Sequence, residues 1–269
     1  MQTKSVNTVS YNDNRWERTR AAVITEQPVT LSINNNIWLT FMCTPSDLEA
    51  LAVGFLYNEN IIQSLDDIAS MRVCPGGENV DIWLNIPVKK PENWKRTSGC
   101  SGGTTSVDEN YLPIGSTNRQ NGNPVPPEMI KLMITRLINS QNLYRKSGGV
   151  HTSALSDGEK LFLTSEDIGR HNTLDKLMGR LLMERIKPNK IIVLTTGRIS
   201  SEMIQKVIRM GASIVISRTS PTSLSVQMAE KSGVTLIGYV RGEHFTIYAH
   251  PERIRVAVVG EGSIVRQND

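Results

Sequence analysis

The chain has 269 residues, of which 39% are hydrophobic and 21% charged, with a net charge of +4 and an isoelectric point near 9.0. This length exceeds that of a usual single domain and predicts two domains. The cations are spread along the chain without a run of five, and aromatic residues make up only 5%. We therefore expect no nucleic acid partner, whereas a small anionic ligand fits the charge.

The cysteines and the apolar residues indicate a cellular compartment. Residues 1–14 are polar, and no stretch approaches 18 apolar residues, so we expect neither a signal peptide nor membrane insertion. Cys43, Cys74 and Cys100 are odd in number and widely spaced, which favours the reducing cytoplasm and excludes a local Cys-x-x-Cys zinc site. We interpret Cys43 and Cys74 as packing residues.

The first hundred residues predict a small α+β unit. A hairpin is expected across the three consecutive asparagines at 34–36, since asparagine tolerates left-handed backbone conformations. A helix follows Pro45, for which Ser46 and Glu49 are predicted to form a capping box. The strands of this unit are expected at residues 29–33, 37–42, 68–73 and 80–86.

About forty residues between Pro87 and Pro127 lack a periodic apolar pattern, which is typical of a functional or disordered loop. At its centre Cys100 lies among glycines and hydroxyl residues, with Lys95 and Arg96 upstream. Convergent backbone N–H groups and nearby cations lower the pKa of a thiol from its ordinary value of roughly 8.5. We therefore predict a reactive thiol at Cys100, with a loop cysteine of no chemical role as the alternative.

From Pro127 the pattern predicts a second domain. After a helix and a hairpin across Asp157-Gly158, strands and helices alternate as βαβαβ between residues 191 and 240. Such an alternation predicts parallel strands with right-handed crossovers, and ligands of such sheets bind outside the carboxyl ends of the strands. Predicted strands include 160–164, 191–196, 213–218, 234–240 and 245–249, and the helices end near 186, 210 and 231.

The segment 165–176 contains six ionisable side chains and leads into a helix predicted from about Asn172. Clustered titratable groups favour a functional pocket. An acidic pair before a helix also fits plain capping of that helix, so both interpretations stay open. The candidate pocket residues from this segment and the preceding strand are His151, Glu166, Asp167, Arg170 and His171.

Two turns at the predicted carboxyl edge, 195–200 and 218–223, each combine hydroxyl groups, a cation and the start of a helix. These groups bind phosphate well, although neither turn has a Walker or Rossmann glycine pattern and ordinary helix capping is an equal alternative. The candidate residues here are Arg198, Ser200, Ser220 and Thr222. The polar turn 239–244 is expected at the same edge, where Arg241 and His244 could extend an anion pocket.

Four motifs together closely resemble the formate dehydrogenase accessory sulfurtransferase family, FdhD. They are Gly148-Gly149-Val150-His151, the segment Glu166 to Asn172 with Asp175-Lys176, Ser220-Pro221-Thr222, and Tyr239-Val240-Arg241-Gly242. The resemblance covers about residues 20 to 255. It implies an α/β architecture with a smaller N-terminal α/β roll-like domain, residues 15–110, that ends in a mobile cysteine loop. A cytidine deaminase-like three-layer domain is implied at 126–269, with final strands that can pack back on the first domain.

The resemblance also implies an activity. Sulfur passes from the persulfide of a cysteine desulfurase to the molybdenum or tungsten bis-guanine-dinucleotide cofactor before formate dehydrogenase receives that cofactor. The protein is implied to be a homodimer that holds no metal of its own. Cys100 matches the family's persulfide-bearing cysteine. The residues that match the cofactor-binding segment are Tyr239, Val240, Arg241, Gly242, Glu243 and His244.

One departure from the family concerns the second cysteine. Many members have a Cys-x-x-Cys pair where this chain has Cys100-Ser101-Gly102-Gly103. A resolving disulfide within that motif is therefore impossible, but transfer of sulfane sulfur needs only one thiolate. Cys100 alone can serve in principle.

Two alternatives compete with this interpretation. A zinc nucleoside deaminase requires H-x-E followed by P-C-x-x-C, and His250-Pro251-Glu252 supplies only the first half. A non-enzymatic chaperone that binds the cofactor without handling sulfur would use the same pocket residues, and only the requirement for Cys100 separates it from a sulfurtransferase.

Overall fold

The computed structural model describes residues 2–91, 95–96, 104–105 and 123–255. The strands are β1 (Thr3–Asn12), β2 (Arg15–Ile24), β3 (Gln27–Ile33), β4 (Asn36–Cys43), β5 (Ile68–Val73), β6 (Asn79–Leu84), β7 (Lys95–Arg96), β8 (Thr104–Thr105), β9 (His151–Ser156), β10 (Leu161–Asp167), β11 (Ile192–Thr195), β12 (Ile214–Ser217), β13 (Thr235–Arg241) and β14 (His244–Ala249). The α-helices are α1 (Leu48–Asn58), α2 (Pro127–Asn139), α3 (Leu143–Ser147), α4 (Arg170–Met183), α5 (Ser201–Arg209) and α6 (Ser223–Ser232).

The C-terminal part is a six-stranded sheet in the order β10-β9-β11-β12-β13-β14. Strands β11, β12 and β13 are parallel, as the alternation predicted, and the other neighbouring strands pair antiparallel. Helix α2 packs on one face with Ile192, Ile214 and Ile237, and α4, α5 and α6 pack on the other with Val193 and Val215. Three layers result. Strand β14 pairs antiparallel with β13 at one edge of this sheet.

The N-terminal unit is a four-stranded sheet in the order β4-β3-β6-β5, covered by α1. The four predicted strands are confirmed, but the capping box is wrong. The N-cap residue is Asp47, which has a left-handed backbone (φ 49°) and forms no capping side-chain bond. Ser46 instead accepts a hydrogen bond from the Nζ of Lys176 at 3.4 Å, so a residue distant in sequence competes for its hydroxyl.

Helices α1 and α4 join the two units and cross with their backbones in contact. A Cβ atom added to Gly54 would lie 1.8 Å from the carbonyl oxygen of Asp175, and one added to Gly179 would lie 1.9 Å from that of Ala50. Neither distance leaves room for a side chain. The two glycines therefore set how closely the N-terminal unit approaches the six-stranded sheet.

A hairpin of β1 and β2 that the sequence did not predict projects at the N-terminus. Its ten residue pairs run without a bulge from Thr3↔Ile24 to Asn12↔Arg15. The connecting residues Asp13 and Asn14 have positive φ angles of 46° and 62°, which suits a two-residue turn of the type favoured in hairpins. Most of its side chains are exposed, so it adds little to the core.

Helix α4 begins at Arg170, two residues earlier than predicted, and Glu166 and Asp167 belong to β10. The N-cap of α4 is Gly169, without a side-chain capping bond. The acidic pair therefore does not cap this helix in the expected way. Within the described ranges, no helix combines the length and the apolar character that crossing a bilayer requires.

Candidate functional site

The carboxyl ends of the parallel strands form one polar edge, which we call the carboxyl edge. The strand order places the start of β9 beside the end of β11, where Thr196 donates its backbone N–H to the carbonyl oxygen of Thr152 at 2.9 Å. At the end of β13, Tyr239 donates its N–H to the carbonyl oxygen of Thr219 at 3.2 Å. The predicted edge residues thus follow one another across four neighbouring strands.

A cleft of about 320 Å³ opens at this edge. His151, Ile168, Thr196 and Arg218 are among its lining residues, together with the glycine turn Gly148-Gly149 that follows α3. Its polar lining and the exposed Arg218 suit an anionic ligand. The structure therefore places His151 in the cleft, while Thr196 and Arg218 are lining residues that belong to the two predicted turns.

Gly197 brings the first turn of α4 against the cleft. A Cβ atom at Gly197 would lie 2.9 Å from the Cβ of Arg170 and 3.5 Å from the Nδ1 of His151. Burial, and then the neighbouring Arg170, lower the pKa of His151, although Asp167 opposes this shift. Since the imidazole is then neutral at neutral pH, it can accept a proton from a bound ligand.

His171 lies deeper and contacts the start of α5. Its Nε2 atom is 3.4 Å from the Oγ of Ser200 and 3.9 Å from the Oε2 of Glu202. Burial lowers the pKa of His171 well below 6.5, and Arg170 adds to the shift. Ser200 occupies the N-cap position of α5 without a capping side-chain bond, so its hydroxyl is available to His171.

We expect His171 to make the stability of the folded protein depend on pH in mild acid. Its pKa is lower in the folded chain than in the unfolded chain, where it is about 6.5, so the unfolded chain binds the proton first. The free energy of unfolding should therefore fall with decreasing pH below about pH 6.5, by at most about 1.4 kcal/mol per pH unit for one histidine. In urea titrations between pH 5 and pH 8, His171→Gln should flatten this slope, and the exposed control His244→Gln should not. Equal slopes in all three proteins would contradict the assignment.

Glu166 holds a neighbouring helix rather than α4. Its carboxylate accepts backbone N–H groups from Asn142 at 2.8 Å, from Leu143 at 2.7 Å and from Tyr144 at 2.9 Å. These are the free donors at the start of α3. Glu166 therefore fixes the short helix that leads into the glycine turn of the cleft.

Asp167 is fully buried and has four partners. It accepts backbone N–H groups from Thr44 at 3.1 Å and Gly169 at 2.8 Å, the Asn172 amide at 2.9 Å, and the Lys176 ammonium at 2.6 Å. Lys176 is also fully buried and donates to the carbonyl oxygen of Thr44 at 3.0 Å. The Asp167–Lys176 pair joins the N-terminal unit to the segment beside the cleft. Because its four partners occupy the lone pairs of the Asp167 carboxylate, that carboxylate does not also bind a ligand.

A second buried network was not found from the sequence. The ammonium of Lys206 lies 2.7 Å from Asp175 and 3.6 Å from Glu59, and Asn58 donates to Asp175 at 2.7 Å. Burial raises the pKa of Asp175 against the opposing effect of Lys206. This network ties α1, α4 and α5 together. No local pattern could reveal it, because its members are far apart in the chain.

The residues of the two turns that were predicted to bind phosphate fit different interpretations, helix capping for Thr222 and contact with a ligand for Arg198 and Ser220. Thr222 caps α6 in a capping box with Ser225, so its hydroxyl has the structural role. Arg198 is exposed and Ser220 is half-buried, and both lie in the turns at the carboxyl edge.

His250, from the H-x-E of the deaminase alternative, is held by Glu252 at 2.9 Å and by the carbonyl oxygen of Glu230 at 2.9 Å.

The turn between β13 and β14 presents a flat cationic surface. Tyr239 is 43% exposed, and the guanidinium of Arg241 stacks over its ring at 4.8 Å. Gly242 has a φ of 55°, which the turn requires and which glycine adopts without strain. His244 is exposed, and Glu243 pairs with Lys131. Val240 alone among the six predicted residues is buried, in the core against α2.

The described cysteines differ from each other. Cys43 is buried, and burial raises the pKa of its thiol to about 12, which confirms it as a packing residue. The sulfur of Cys74 accepts backbone N–H groups from Asn79 and Glu78, each at 3.2 Å, and the Asn79 bond leads the effects that lower its pKa. The packing interpretation is therefore incomplete for Cys74. Cys100 lies between β7 and β8, outside the described residues, and so does Gly103.

These features define a class of protein. It is a mixed α/β protein with a polar cleft at the carboxyl edge of a three-layer domain, and buried ion pairs hold a smaller α/β unit against that domain. The sequence model of the FdhD/NarQ family matches residues 24–255. The chain belongs to the FdhD/NarQ family.

Individual relatives and one solved structure agree with this assignment. The chain is 33% identical over 250 residues to the "Sulfur carrier protein FdhD" of Staphylococcus aureus (strain MRSA252), covering 91% of this chain and 94% of the relative. It is 32% identical over 251 residues to the protein of the same name from Staphylococcus haemolyticus (strain JCSC1435), covering 92% and 95%. The crystal structure of a candidate formate dehydrogenase accessory protein from Desulfotalea psychrophila superposes with a TM-score of 0.75 at 29% identity, covering 94% of this chain and 100% of that one.

Proposed function

We propose that this protein is a sulfur carrier for formate dehydrogenase, with Cys100 as the carrier residue. The observation that carries the proposal is the membership of the chain in the FdhD/NarQ family, together with relatives named as sulfur carriers across more than nine-tenths of its length. Cys43 is buried and has a raised thiol pKa, which makes it unsuitable as a nucleophile. Cys100 has the glycine-rich, cationic sequence context that favours a thiolate.

The sulfur step needs a single cysteine. The Cys100 thiolate attacks the outer sulfur of a donor persulfide, the donor S–S bond breaks, and the donor leaves as a thiolate. One sulfane sulfur moves to Cys100 and no external oxidant or reductant is consumed. The step is a sulfurtransferase reaction, and the glycine at position 103 does not impede it.

For the second step we propose that the bis-guanine-dinucleotide form of the molybdenum or tungsten cofactor binds at the carboxyl edge as the sulfur acceptor. The stacked Tyr239 and Arg241 offer a planar cationic surface, which suits a purine base. Arg218 suits the anionic part of such a ligand and His151 a part that donates a proton. Asp167 and Glu166 then act as supports that position the cleft residues.

The sheet order, with the second strand of this domain outside the first and four further strands on the other side, supports a cytidine deaminase-like arrangement. We propose a cysteine desulfurase as the sulfur donor, a homodimer as the working form, and the cytoplasm as its location.

Complementation of a deletion strain tests the function. Cys100→Ala should lower formate dehydrogenase activity to the level of the deletion strain, while Cys74→Ala, matched in side chain, should keep wild-type activity. Immunoblots must show equal amounts of each protein. Full activity of Cys100→Ala would contradict sulfur transfer and favour a chaperone that only binds the cofactor.

A further inference from the structure

The hairpin of β1 and β2 carries a surface that none of the roles above uses. Opposed residues of an antiparallel pair point to the same side, so the pairs Tyr11↔Trp16, Val9↔Arg18 and Asn7↔Arg20 share one face. We call these residues the arginine–aromatic face. Trp16 is 73% exposed, Val9 61% and Tyr11 54%. The rings of Tyr11 and Trp16 pack together, with centroids 4.9 Å apart.

This face contains cations and no carboxylate. Arg18 and Arg20 border a trough of about 620 Å³ that also includes Val9, and neither arginine forms an ion pair within the described part of the chain. The acidic residues of the hairpin lie elsewhere: Asp13 is in the turn, and Glu17 points to the opposite face with Ser10. Tryptophan, tyrosine and arginine are the residues that dominate the binding energy of protein interfaces.

We infer that the arginine–aromatic face docks onto an acidic protein surface with an apolar centre, which belongs to a partner other than a second copy of this chain. We choose an acidic partner because its charge complements that of the arginine–aromatic face. Two copies packed face to face would bring their arginines together with no carboxylate between them. Two arginines neutralise too few phosphates for nucleic acid, which needs several such contacts to bind firmly. A carboxylate-bearing partner satisfies both arginines at once.

The geometry suits a docking arm. The hairpin contacts the rest of the described chain through its β2 end near α3, where the Ile24 side chain would meet a Cβ on Gly149 at 3.0 Å. Gly149 lines the cleft. The base of the arm therefore adjoins the cleft, whereas Trp16 lies eight residues farther along β2, about 26 Å away in an extended strand. An isolated two-stranded hairpin is at best marginally stable in water, so a partner that covers one face also stabilises the arm.

The inference is tested by reversing charges on the arginine–aromatic face and, as a control, on the opposite face of the hairpin. Arg18→Glu with Arg20→Glu alters the arginine–aromatic face, and Lys4→Glu with Arg15→Glu makes the same net change on the opposite face. Trp16→Ala removes the central ring. The probes are purified cysteine desulfurase and purified formate dehydrogenase of the same organism, immobilised for biolayer interferometry at low and high salt; this choice of probes rests on the proposed function.

We expect one of the two probes to bind the full-length protein in a salt-sensitive manner. The arginine pair and Trp16→Ala should each weaken binding by about tenfold or more, whereas the opposite-face pair should change it by less than about twofold. Absence of binding to both probes, or equal losses for the two charge-reversed pairs, would overturn the inference. A change of oligomeric state in the Arg18→Glu, Arg20→Glu variant would also overturn the inference. The same holds for binding to phosphatidylserine vesicles that depends on Trp16.

Failure here is distinguishable from failure of the proposed function. If Cys100 is loaded with sulfur while the hairpin variants bind their probe like the wild type, only the docking inference fails. If Cys100 is never loaded while the hairpin variants lose binding, only the sulfur-transfer proposal fails.

Discussion

Gly54→Ala and Gly179→Ala should each prevent the normal crossing of α1 and α4. The added methyl group would lie 1.8 Å or 1.9 Å from a backbone carbonyl oxygen, and backbone cannot rotate away as a side chain can. Overpacking of this kind costs about 1–3 kcal/mol and occasionally more, and we expect values at or above the upper end. Alanine favours an isolated helix over glycine by about 1 kcal/mol, which offsets only part of the cost.

Thermal unfolding of the purified variants measures the effect. Gly76→Ala is the control, because the atoms nearest to a Cβ added at Gly76 belong to the flexible Glu78 side chain, at 3.5 Å. The control should melt within a degree or two of the wild type, whereas the two helix variants should melt many degrees lower or fail to accumulate. Wild-type melting of Gly54→Ala would show that the helices separate easily and that the crossing is not tight.

Lys176→Met should destabilise the protein by about 3–5 kcal/mol, because it leaves the Asp167 carboxylate buried without its cation. Both side chains are fully buried and their charged atoms are 2.6 Å apart. Urea titration measures the loss. The control is Arg72→Met, which removes an ion pair with Asp81 at 3.2 Å on the surface and should cost less than about 1 kcal/mol.

A double-mutant cycle identifies the source of that loss. Asp167→Asn combined with Lys176→Met removes both charges, so the double variant should be more stable than the sum of the two single losses predicts. Strict additivity of the two single effects would contradict a direct coupling between these groups.

The sequence predicted the strands and helices whose signal is local. Continuous apolar runs such as 192–194 and 214–216 and the turns between them indicated the parallel sheet, because burial on both faces leaves no alternation. The β1–β2 hairpin was missed since polar and apolar residues are mixed on both of its faces, so neither strand shows the alternation of a half-buried strand. Only the Asp13-Asn14 turn carried a signal for it. The capping box at Ser46 failed because Lys176, 130 residues away, takes that hydroxyl.

The candidate site was predicted in place but not in detail. Arg218 and Tyr239 lie at one edge, as the alternation implies, and the antiparallel pairing of β9 with β11 adds His151 to that edge. The clustering of charge at Glu166 and Asp167 suggested a pocket wall, yet each carboxylate is engaged by backbone groups from other segments. Sequence spacing cannot show such partners. Cys100 was singled out by its glycine-rich, cationic sequence context and by the family resemblance, and it lies outside the described residues.

The most direct test of the sulfur-carrier account is the identification of the cysteine that bears sulfur. The purified protein is incubated with a cysteine desulfurase and free cysteine, alkylated without reductant, digested and mapped by mass spectrometry. The account predicts one additional sulfur atom on the Cys100 peptide, with none on Cys43, which is buried, or on Cys74, whose lowered thiol pKa makes it the strongest competitor. Sulfur on Cys74 with an unmodified Cys100, or no sulfur on any of the three, would contradict it.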